Sequence, residues 1–348
     1  MEVSMDTFKA FLHRKDIEIS FQRYGIEVLG MMAYGLFASL LVGTILNTIG
    51  SQFGLSFLSE QVWPIANQAT GAAIAVAIAY GLKAPPLVLF ASTVCGLAGY
   101  ALGGPVGTLI ATLFGVEAGK MISKETVIDI VITPTVTILV GTVVAVWVGP
   151  GISSFLTWIG QMIMYFTTLQ PFIMGILVSV VMGIILTLPI SSAALSMMLG
   201  LSGLAGGAAT AGCCANMVGF AVISFRENGW GGLLAQGLGT SMLQVPNIMR
   251  NWRIWIPVIA ASAVTGPLST LLFKLENTPL GSGMGTSGLV GQLTTIAHMN
   301  ELGASMPKVY VGILLLHFLL PGVLSLLFDW ILRKAGWIKP GEMKLENI

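Results

Sequence analysis

The chain has 348 residues, of which 55% are apolar and only 9% are charged; its mean hydropathy is +0.88 and its formal net charge is +1. A soluble domain carries about 25% charged residues, so this composition excludes a water-soluble globular protein. The near-zero net charge also excludes a nucleic-acid-binding protein, because no excess of basic side chains is available to pair with phosphates.

The first 24 residues mix basic and acidic side chains. Phe8, Phe11, Leu12 and Ile19 fall on one face of a helix, with charged residues on the opposite face. This pattern is typical of a helix that lies on a membrane surface, and a solvated amphipathic helix is the alternative. We predict a cytoplasmic amphipathic N-terminal segment over residues 1–24.

Long apolar segments follow. A bilayer core of about 30 Å needs roughly 20 apolar residues per helix, and the period-two pattern of a membrane barrel is not seen in this sequence. The sequence therefore predicts an all-α, polytopic integral membrane protein with about 8–10 transmembrane helices. Candidate spans, some too short to cross alone, are residues 25–49, 62–82, 86–102, 106–118, 127–148, 152–168, 172–188, 193–224, 255–273 and 309–332.

The distribution of basic residues predicts the orientation. Lys and Arg concentrate at both termini and in several of the predicted loops. By the positive-inside rule both termini are cytoplasmic, so residues 336–348 are predicted to form a cytoplasmic C-terminal tail.

The second half departs from a simple series of spans. From residue 188 to residue 292 the chain is apolar but rich in Gly, Pro, Ser, Thr and Asn, which predicts re-entrant or broken helices lining a cavity. One phrase occurs twice, as GLGTSMLQ at 237–244 and as GMGTSGLVGQ at 283–292. Each phrase has a Thr-Ser pair that can cap a helix, followed by an amide. The repeat is explained either by a structural duplication or by chance similarity between glycine-rich segments.

Polar residues inside a membrane are costly and are therefore functional candidates. Hydroxyls and amides suit a neutral polyol, which needs directional hydrogen bonds. Glu276 could accept two sugar hydroxyls or carry a proton, with an ion pair to Lys274 as the alternative, and His298 could titrate near neutral pH. The predicted substrate-binding residues are Ser191, Ser192, Asn216, Gln244, Asn247, Glu276, Thr286, Ser287 and His298.

For each single hydroxyl or amide in this set, a structural contact between helices is the alternative interpretation. The compact charge cluster at residues 226–228 reads as a cytoplasmic turn, or else as a gate or docking point. The sequence contains no motif for a catalytic set, a metal site or a phosphate-binding loop, and we predict no catalytic residue, metal or cofactor.

Five stretches resemble a bacterial family, the IIC-type membrane components of the sugar phosphotransferase system, which includes toxin-regulator proteins of the perfringolysin O regulator type. They are TLPISSAA at 187–194, GCCANMVGFA at 212–221, FREN at 225–228, QGLGTSMLQ at 236–244 and GMGTSGLVGQ at 283–292.

The resemblance implies an EIIC-like transmembrane domain over residues 25–335 in the bacterial plasma membrane. It also implies a homodimer with about ten helices per chain, and re-entrant hairpins around a sugar site that opens by alternating access. The sugar would be phosphorylated by separate IIA and IIB phosphocarrier proteins. The expected partners are thus a sugar or polyol, membrane lipid, a second copy and these phosphocarriers.

The sequence departs from the family pattern in two ways. The Gly-Ile-Thr-Glu-Pro-like stretch of sugar IIC proteins is missing, and Glu276 is only a loose substitute. No soluble domain with a phosphorylatable Cys or His is present. We therefore predict a sugar-transport component that is at most a non-catalytic permease. The alternatives are a membrane sensor that does not transport, and an ion-coupled permease using Glu276, Asp129 or Glu27.

Overall fold

A computed structural model describes residues 10–345. The predicted terminal segments, 1–24 and 336–348, therefore extend beyond the described part of the chain at residues 1–9 and 346–348. The described residues form helices joined by short turns, so the predicted all-α class is confirmed.

The helices follow one another closely along the chain. They are α1 (Arg23–Ser51), α2 (Phe57–Gln68), α3 (Thr70–Gly81), α4 (Pro86–Ile122), α5 (Asp129–Thr167), α6 (Pro171–Thr187), α7 (Ser192–Met198), α8 (Gly203–Ile223), α9 (Phe225–Leu234), α10 (Val245–Arg250), α11 (Trp252–Phe273), α12 (Pro279–Ser282), α13 (Val290–Glu301) and α14 (Met306–Lys334).

Within residues 10–345, six helices are long and apolar enough to cross a membrane: α1, α4, α5, α8, α11 and α14. Helices α2 and α3 meet at a 46° bend and add a seventh candidate if the pair is one broken span. Helix α6 is apolar but has only 17 residues. The chain is a multi-pass membrane protein.

Helix α4 is folded back on itself. Gly103 and Gly104 have non-helical backbone angles, with φ of 59° and ψ of −150° at Gly104. The Thr108 hydroxyl donates to the carbonyl oxygen of Gly96 at 3.2 Å, whereas 12 residues of straight helix would separate the two by about 18 Å. Helix α4 is therefore a pair of antiparallel arms, and the sequence had predicted them as two segments, 86–102 and 106–118.

The chain divides into two compact units, the first of which contains residues up to 43 and residues 64–155. At one end of this unit the buried Lys120 ammonium donates to the carbonyl oxygens of Asp16 (2.8 Å) and Leu82 (2.9 Å). Its nitrogen also lies 3.3 Å from a Glu117 carboxylate oxygen. Arg23 donates to the same Leu82 carbonyl at 3.1 Å. Two cations thus bind the carbonyl that follows the last turn of α3.

The second unit contains residues 44–63 and 156–345. Its centre is α8, which packs against α6, α11 and α14. Small residues allow this close approach: a Cβ atom at Gly212 would meet the backbone of Ser179, and one at Gly207 would meet the Leu275 carbonyl. Glycines with positive φ interrupt the helices around α8, at residues 200, 203, 229, 285 and 288. This agrees with the broken helices predicted for the second half.

Candidate functional site

All nine predicted binding residues lie in the second unit, but they do not form one cluster. Asn216, on α8, is fully buried and uses its whole hydrogen-bonding capacity on protein partners. Its amide donates to Gly212 O (3.2 Å) and to Ser262 Oγ (3.0 Å). Its oxygen accepts from Thr187 Oγ1 (3.2 Å) and Trp255 Nε1 (3.1 Å). Asn216 therefore joins α6, α8 and α11 through its side-chain hydrogen bonds.

Gln244 and Asn247 bind the C-terminal segment of the chain. The Gln244 amide donates to Met343 O at 3.0 Å and to Gln236 Oε1 at 2.9 Å. Asn247 donates to Gln244 Oε1 at 2.8 Å and to Lys344 O at 3.0 Å. These amides recognise peptide main chain in this structure, and their donors are occupied.

The charge cluster at residues 226–228 is part of the same contact. Glu227 accepts from the Met343 backbone N–H at 2.8 Å. Asn228 donates to Met343 O at 2.9 Å and accepts from Leu345 N at 2.8 Å. The side chains of Met343 and Leu345 are buried. The structure places residues 226–228 in the first turn of α9 and not in a loop, and two of their side chains bind residues 343–345 of the same chain.

The four predicted hydroxyl residues lie at the ends of short helices. Ser191 caps α7 by accepting from Ala194 N at 3.2 Å, and Ser192 donates to Gly283 O at 2.6 Å. Thr286 donates to Gly237 O, which joins the two repeated phrases to each other. Ser287 is buried, and its hydroxyl has no hydrogen-bond partner within residues 10–345. Three of these hydroxyls are therefore occupied by the protein itself.

Glu276 and His298 form the remaining pair. Glu276 Oε2 lies 3.9 Å from His298 Nε2, and the two side chains are 33% and 23% exposed. In the described part of the chain Glu276 thus lies beside His298 and makes no ion pair with Lys274, the alternative considered from the sequence. Both residues belong to the second unit, His298 on α13 and Glu276 on the segment that follows α11.

Apolar packing positions this pair. Leu275 and Met299, the chain neighbours of Glu276 and His298, are buried in one cluster with Leu316 and other residues of α14. Because Leu275 and Met299 are buried, the polar side chains next to them in the chain lie at the edge of the cluster and are partly exposed. The backbone N–H of Glu276 also points at Met299 Sδ, 3.3 Å away. The carboxylate and the imidazole are therefore held by their apolar neighbours.

Sequence reasoning missed the role of Asn277. This buried residue donates to Thr210 Oγ1 at 2.8 Å and to Gly291 O at 3.1 Å. Its backbone exchanges two hydrogen bonds with Gly203, at 3.0 and 3.2 Å. Asn277 therefore fixes the Glu276 segment to both α8 and α13. The only signal in the sequence was its position beside Glu276.

A family model described as "Phosphotransferase system, EIIC" matches residues 26–345, nearly the whole chain. The chain belongs to this family. No curated protein and no solved structure matches it significantly. As an EIIC-family protein it is a membrane sugar-transport component, with a sugar as its class of substrate and IIA and IIB proteins as possible partners. The resemblance found in the sequence is thereby confirmed.

Proposed function

We propose that this EIIC-family protein binds a small sugar or polyol between Glu276 and His298 and carries it across the membrane by alternating access. The observation that carries the proposal is the exposure of this pair: Glu276 and His298 are 33% and 23% exposed, and within residues 10–345 their carboxylate and imidazole approach each other only to 3.9 Å. The side-chain amides of Asn216, Gln244 and Asn247, by contrast, donate to protein groups.

The chemistry of the pair suits a neutral hydroxylated solute. A carboxylate can accept from two neighbouring hydroxyls, and an imidazole offers one donor and one acceptor. Hydrogen bonds to a charged group contribute about 1.5–3 kcal/mol each, which is enough for selective yet reversible binding. The 3.9 Å separation exceeds a normal hydrogen bond, so a solute hydroxyl can compete for both groups.

The wider assembly is part of the proposal. The bound sugar would receive phosphate from IIA and IIB proteins at the cytoplasmic side, which is where we place both termini. Two copies would form a homodimer in the bacterial plasma membrane. The large apolar side chains exposed along the spans, such as Phe90 and Trp147, would face lipid or the second copy.

The test is uptake of labelled sugars and polyols into liposomes that contain the purified protein, with and without a phosphocarrier extract. We expect uptake that requires the extract and yields sugar phosphate. Glu276→Gln should reduce uptake at least about tenfold, equivalent to about 1.4 kcal/mol. The matched control is Glu301→Gln, an exposed position on α13. Equal uptake by both variants would remove Glu276 from the site, and no binding or flux under any condition would contradict transport.

A membrane sensor is the second candidate, and one observation favours it. The C-terminal segment is bound by five polar side chains of the second unit: Glu227, Asn228, Gln244, Asn247 and Asn251. A segment held in this way could report the state of the solute site to a cytoplasmic partner. Sugar binding without flux, accompanied by altered protease cleavage between residues 336 and 345, would favour the sensor.

A further inference from the structure

One end of the second unit carries a concentration of basic residues. The end of α8, the beginning of α11 and the last turns of α14 meet there, because Ile223, Ile254 and Leu332 pack in one apolar cluster. Residues 224–256 and 329–345 contain seven Lys or Arg and three Asp or Glu, a net charge of +4. We call this region the basic end.

The opposite end of the same three spans has no such excess. Helix α8 begins there at Gly203, whose backbone pairs with Asn277, and Val309 near the start of α14 is buried with Leu275. Residues 274–308 contain two lysines and two glutamates. The positive charge of the second unit is therefore concentrated at one end of its spans.

The docked C-terminal segment completes the basic end. Asn251 donates to Trp337 O at 3.1 Å, and Asn247 donates to Lys344 O at 3.0 Å. The Arg253 guanidinium lies 5.3 Å from the centroid of the Trp337 ring. Residues of α10, α11 and the C-terminal segment therefore form one surface, although they are distant in the sequence.

The acidic groups of the basic end are occupied within the protein. Arg333 Nε donates to Asp329 at 2.7 Å, and Arg333 Nη2 lies 3.5 Å from Glu227. The Asp329 and Glu227 side chains are only 8% and 11% exposed. Glu342 is half-buried and accepts from Asn251 at 2.7 Å.

The exposed charged side chains of this end are all cations. They are Arg226, Arg250, Arg253, Lys334, Lys339 and Lys344. A surface with charges of one sign attracts a partner of the opposite sign.

Exposed tryptophans place this surface at the level of the lipid headgroups. Trp252, at the start of α11, is 63% exposed, and Trp330, near the end of α14, is 54% exposed. The Lys334 ammonium lies 3.9 Å from the centroid of the Trp330 ring. Tryptophan rings are enriched at the boundary between the hydrocarbon core and water, so the cations beside them lie where lipid phosphates are.

We propose that the basic end of the second unit binds the headgroups of anionic phospholipids. Clusters of about four to eight Lys and Arg directly beyond a membrane span attract anionic lipids. Guanidinium and ammonium groups donate strong hydrogen bonds to phosphate oxygens. The tryptophans favour a lipid over a soluble acidic protein, because they hold the cations in the plane of the membrane surface. The proposal does not rest on sugar binding at Glu276.

The test is competition between two lipids for the full-length protein in bilayers. Lipids with brominated chains quench the tryptophans that they contact, so the quenching by phosphatidylglycerol and by phosphatidylcholine with the same chains gives their relative affinity. A single cation near the membrane surface contributes about fivefold to the binding of an anionic lipid. We therefore expect phosphatidylglycerol to be preferred at least about fivefold.

Salt provides a control on the wild type alone. The Debye length falls from about 10 Å at 0.1 M salt to about 3 Å at 1 M. The preference for phosphatidylglycerol should therefore decrease towards equal binding over this range. A preference that does not change with salt would contradict an electrostatic site.

Two double variants with the same change of charge locate the site. Lys334→Gln/Lys339→Gln, at the basic end, should reduce the preference at least about fivefold. Lys274→Gln/Lys308→Gln removes two exposed lysines at the opposite end and should leave the preference within about twofold of the wild type, because these lysines are not in the cationic cluster.

Equal reductions by the two double variants would overturn the proposal, because the preference would then follow the net charge of the protein. Equal binding of the two lipids by the wild type would also overturn it and would leave a soluble acidic protein as the partner of these cations.

Discussion

Gln244 donates a hydrogen bond from Nε2 to the carbonyl oxygen of Met343, 3.0 Å away, although the two residues are 99 positions apart in the chain. The amide was predicted to bind solute, and in the structure it binds peptide main chain. Asn228 makes two further hydrogen bonds to the same segment. Residues 343–345 are therefore packed into the second unit by these side-chain hydrogen bonds.

Removal of the Asn228 amide should loosen this segment. Asn228→Ala leaves the Met343 carbonyl with Gln244 alone and deprives Leu345 N–H of its acceptor. Two hydrogen bonds at partly buried groups correspond to about 2–3 kcal/mol, which a denaturant titration in detergent would measure. Asn300→Ala, at an exposed position of α13, should change the unfolding free energy by less than about 0.5 kcal/mol. Equal effects of the two substitutions would show that the segment does not stabilise the fold.

Loss of the buried ammonium in the first unit should be more costly. Lys120 is 1% exposed, so Lys120→Met leaves the Glu117 carboxylate without its cation. Breaking a buried ion pair from one side costs about 3–5 kcal/mol. The double variant Lys120→Met/Glu117→Gln should recover part of this loss, because no unpaired charge remains.

The exposed Lys124 provides the control for that experiment. Lys124→Met should leave the unfolding free energy nearly unchanged, within about 0.5 kcal/mol. If the double variant were as unstable as Lys120→Met alone, the loss would come from the packing of the lysine stem and not from an uncompensated carboxylate.

Asp16, which lies outside the spans, makes part of the stability pH-dependent. Burial raises the pKa of Asp16, but the hydrogen bond and charge of Arg23, with the charges of Lys83 and Lys120, outweigh burial and lower the pKa below its ordinary value of 3.8. A carboxyl with a lowered pKa stabilises the fold above its unfolded pKa and loses this effect as the pH falls through the folded pKa. The contribution of Asp16 is therefore complete near neutral pH and disappears below about pH 3.8.

Unfolding of the wild type and of Asp16→Asn should be compared from neutral pH to about pH 3. The wild type should be the more stable at neutral pH, and the difference should shrink as the pH falls through 3.8 and below. Glu18→Gln, at an exposed neighbouring position, should show no such change. A difference between wild type and Asp16→Asn that stays constant over this range would rule out the Arg23 contact as its source.

Local chemistry explains why much of the fold could be predicted from the sequence. Apolar run length identifies the long helices, but it does not locate every break. The predicted span 193–224 is interrupted between α7 and α8, where Gly200 and Gly203 have positive φ, a conformation that glycine adopts at no steric cost. Thr240 was predicted to cap a helix, and it does accept from Met242 N. Its counterpart Thr286 does not cap, because it donates to Gly237 across the second unit. The two copies of the phrase therefore differ in structure because their threonines find different partners in the folded chain.

The candidate site was less predictable for the same reason. A polar residue in an apolar stretch needs a partner, but the sequence does not say whether that partner is solute or protein. Asn216 and Gln244 obtain theirs from distant segments, Trp255 and Met343. The Glu276 carboxylate has no such partner among the buried amides. Its partial exposure depends on the burial of its neighbour Leu275, which the sequence does not reveal.

The fold-back of α4 depends on Gly104, which gives the last prediction. Its φ of 59° and ψ of −150° are essentially restricted to glycine. No atom lies within 4 Å of a Cβ built there, so Gly104→Ala tests backbone strain alone and should cost about 1–3 kcal/mol. Gly151→Ala is the matched control: it also meets no atom within 4 Å, but it lies inside helix α5 and should stabilise by up to about 1 kcal/mol. If Gly104→Ala proved as stable as Gly151→Ala, the fold-back of α4 would not depend on a glycine at position 104.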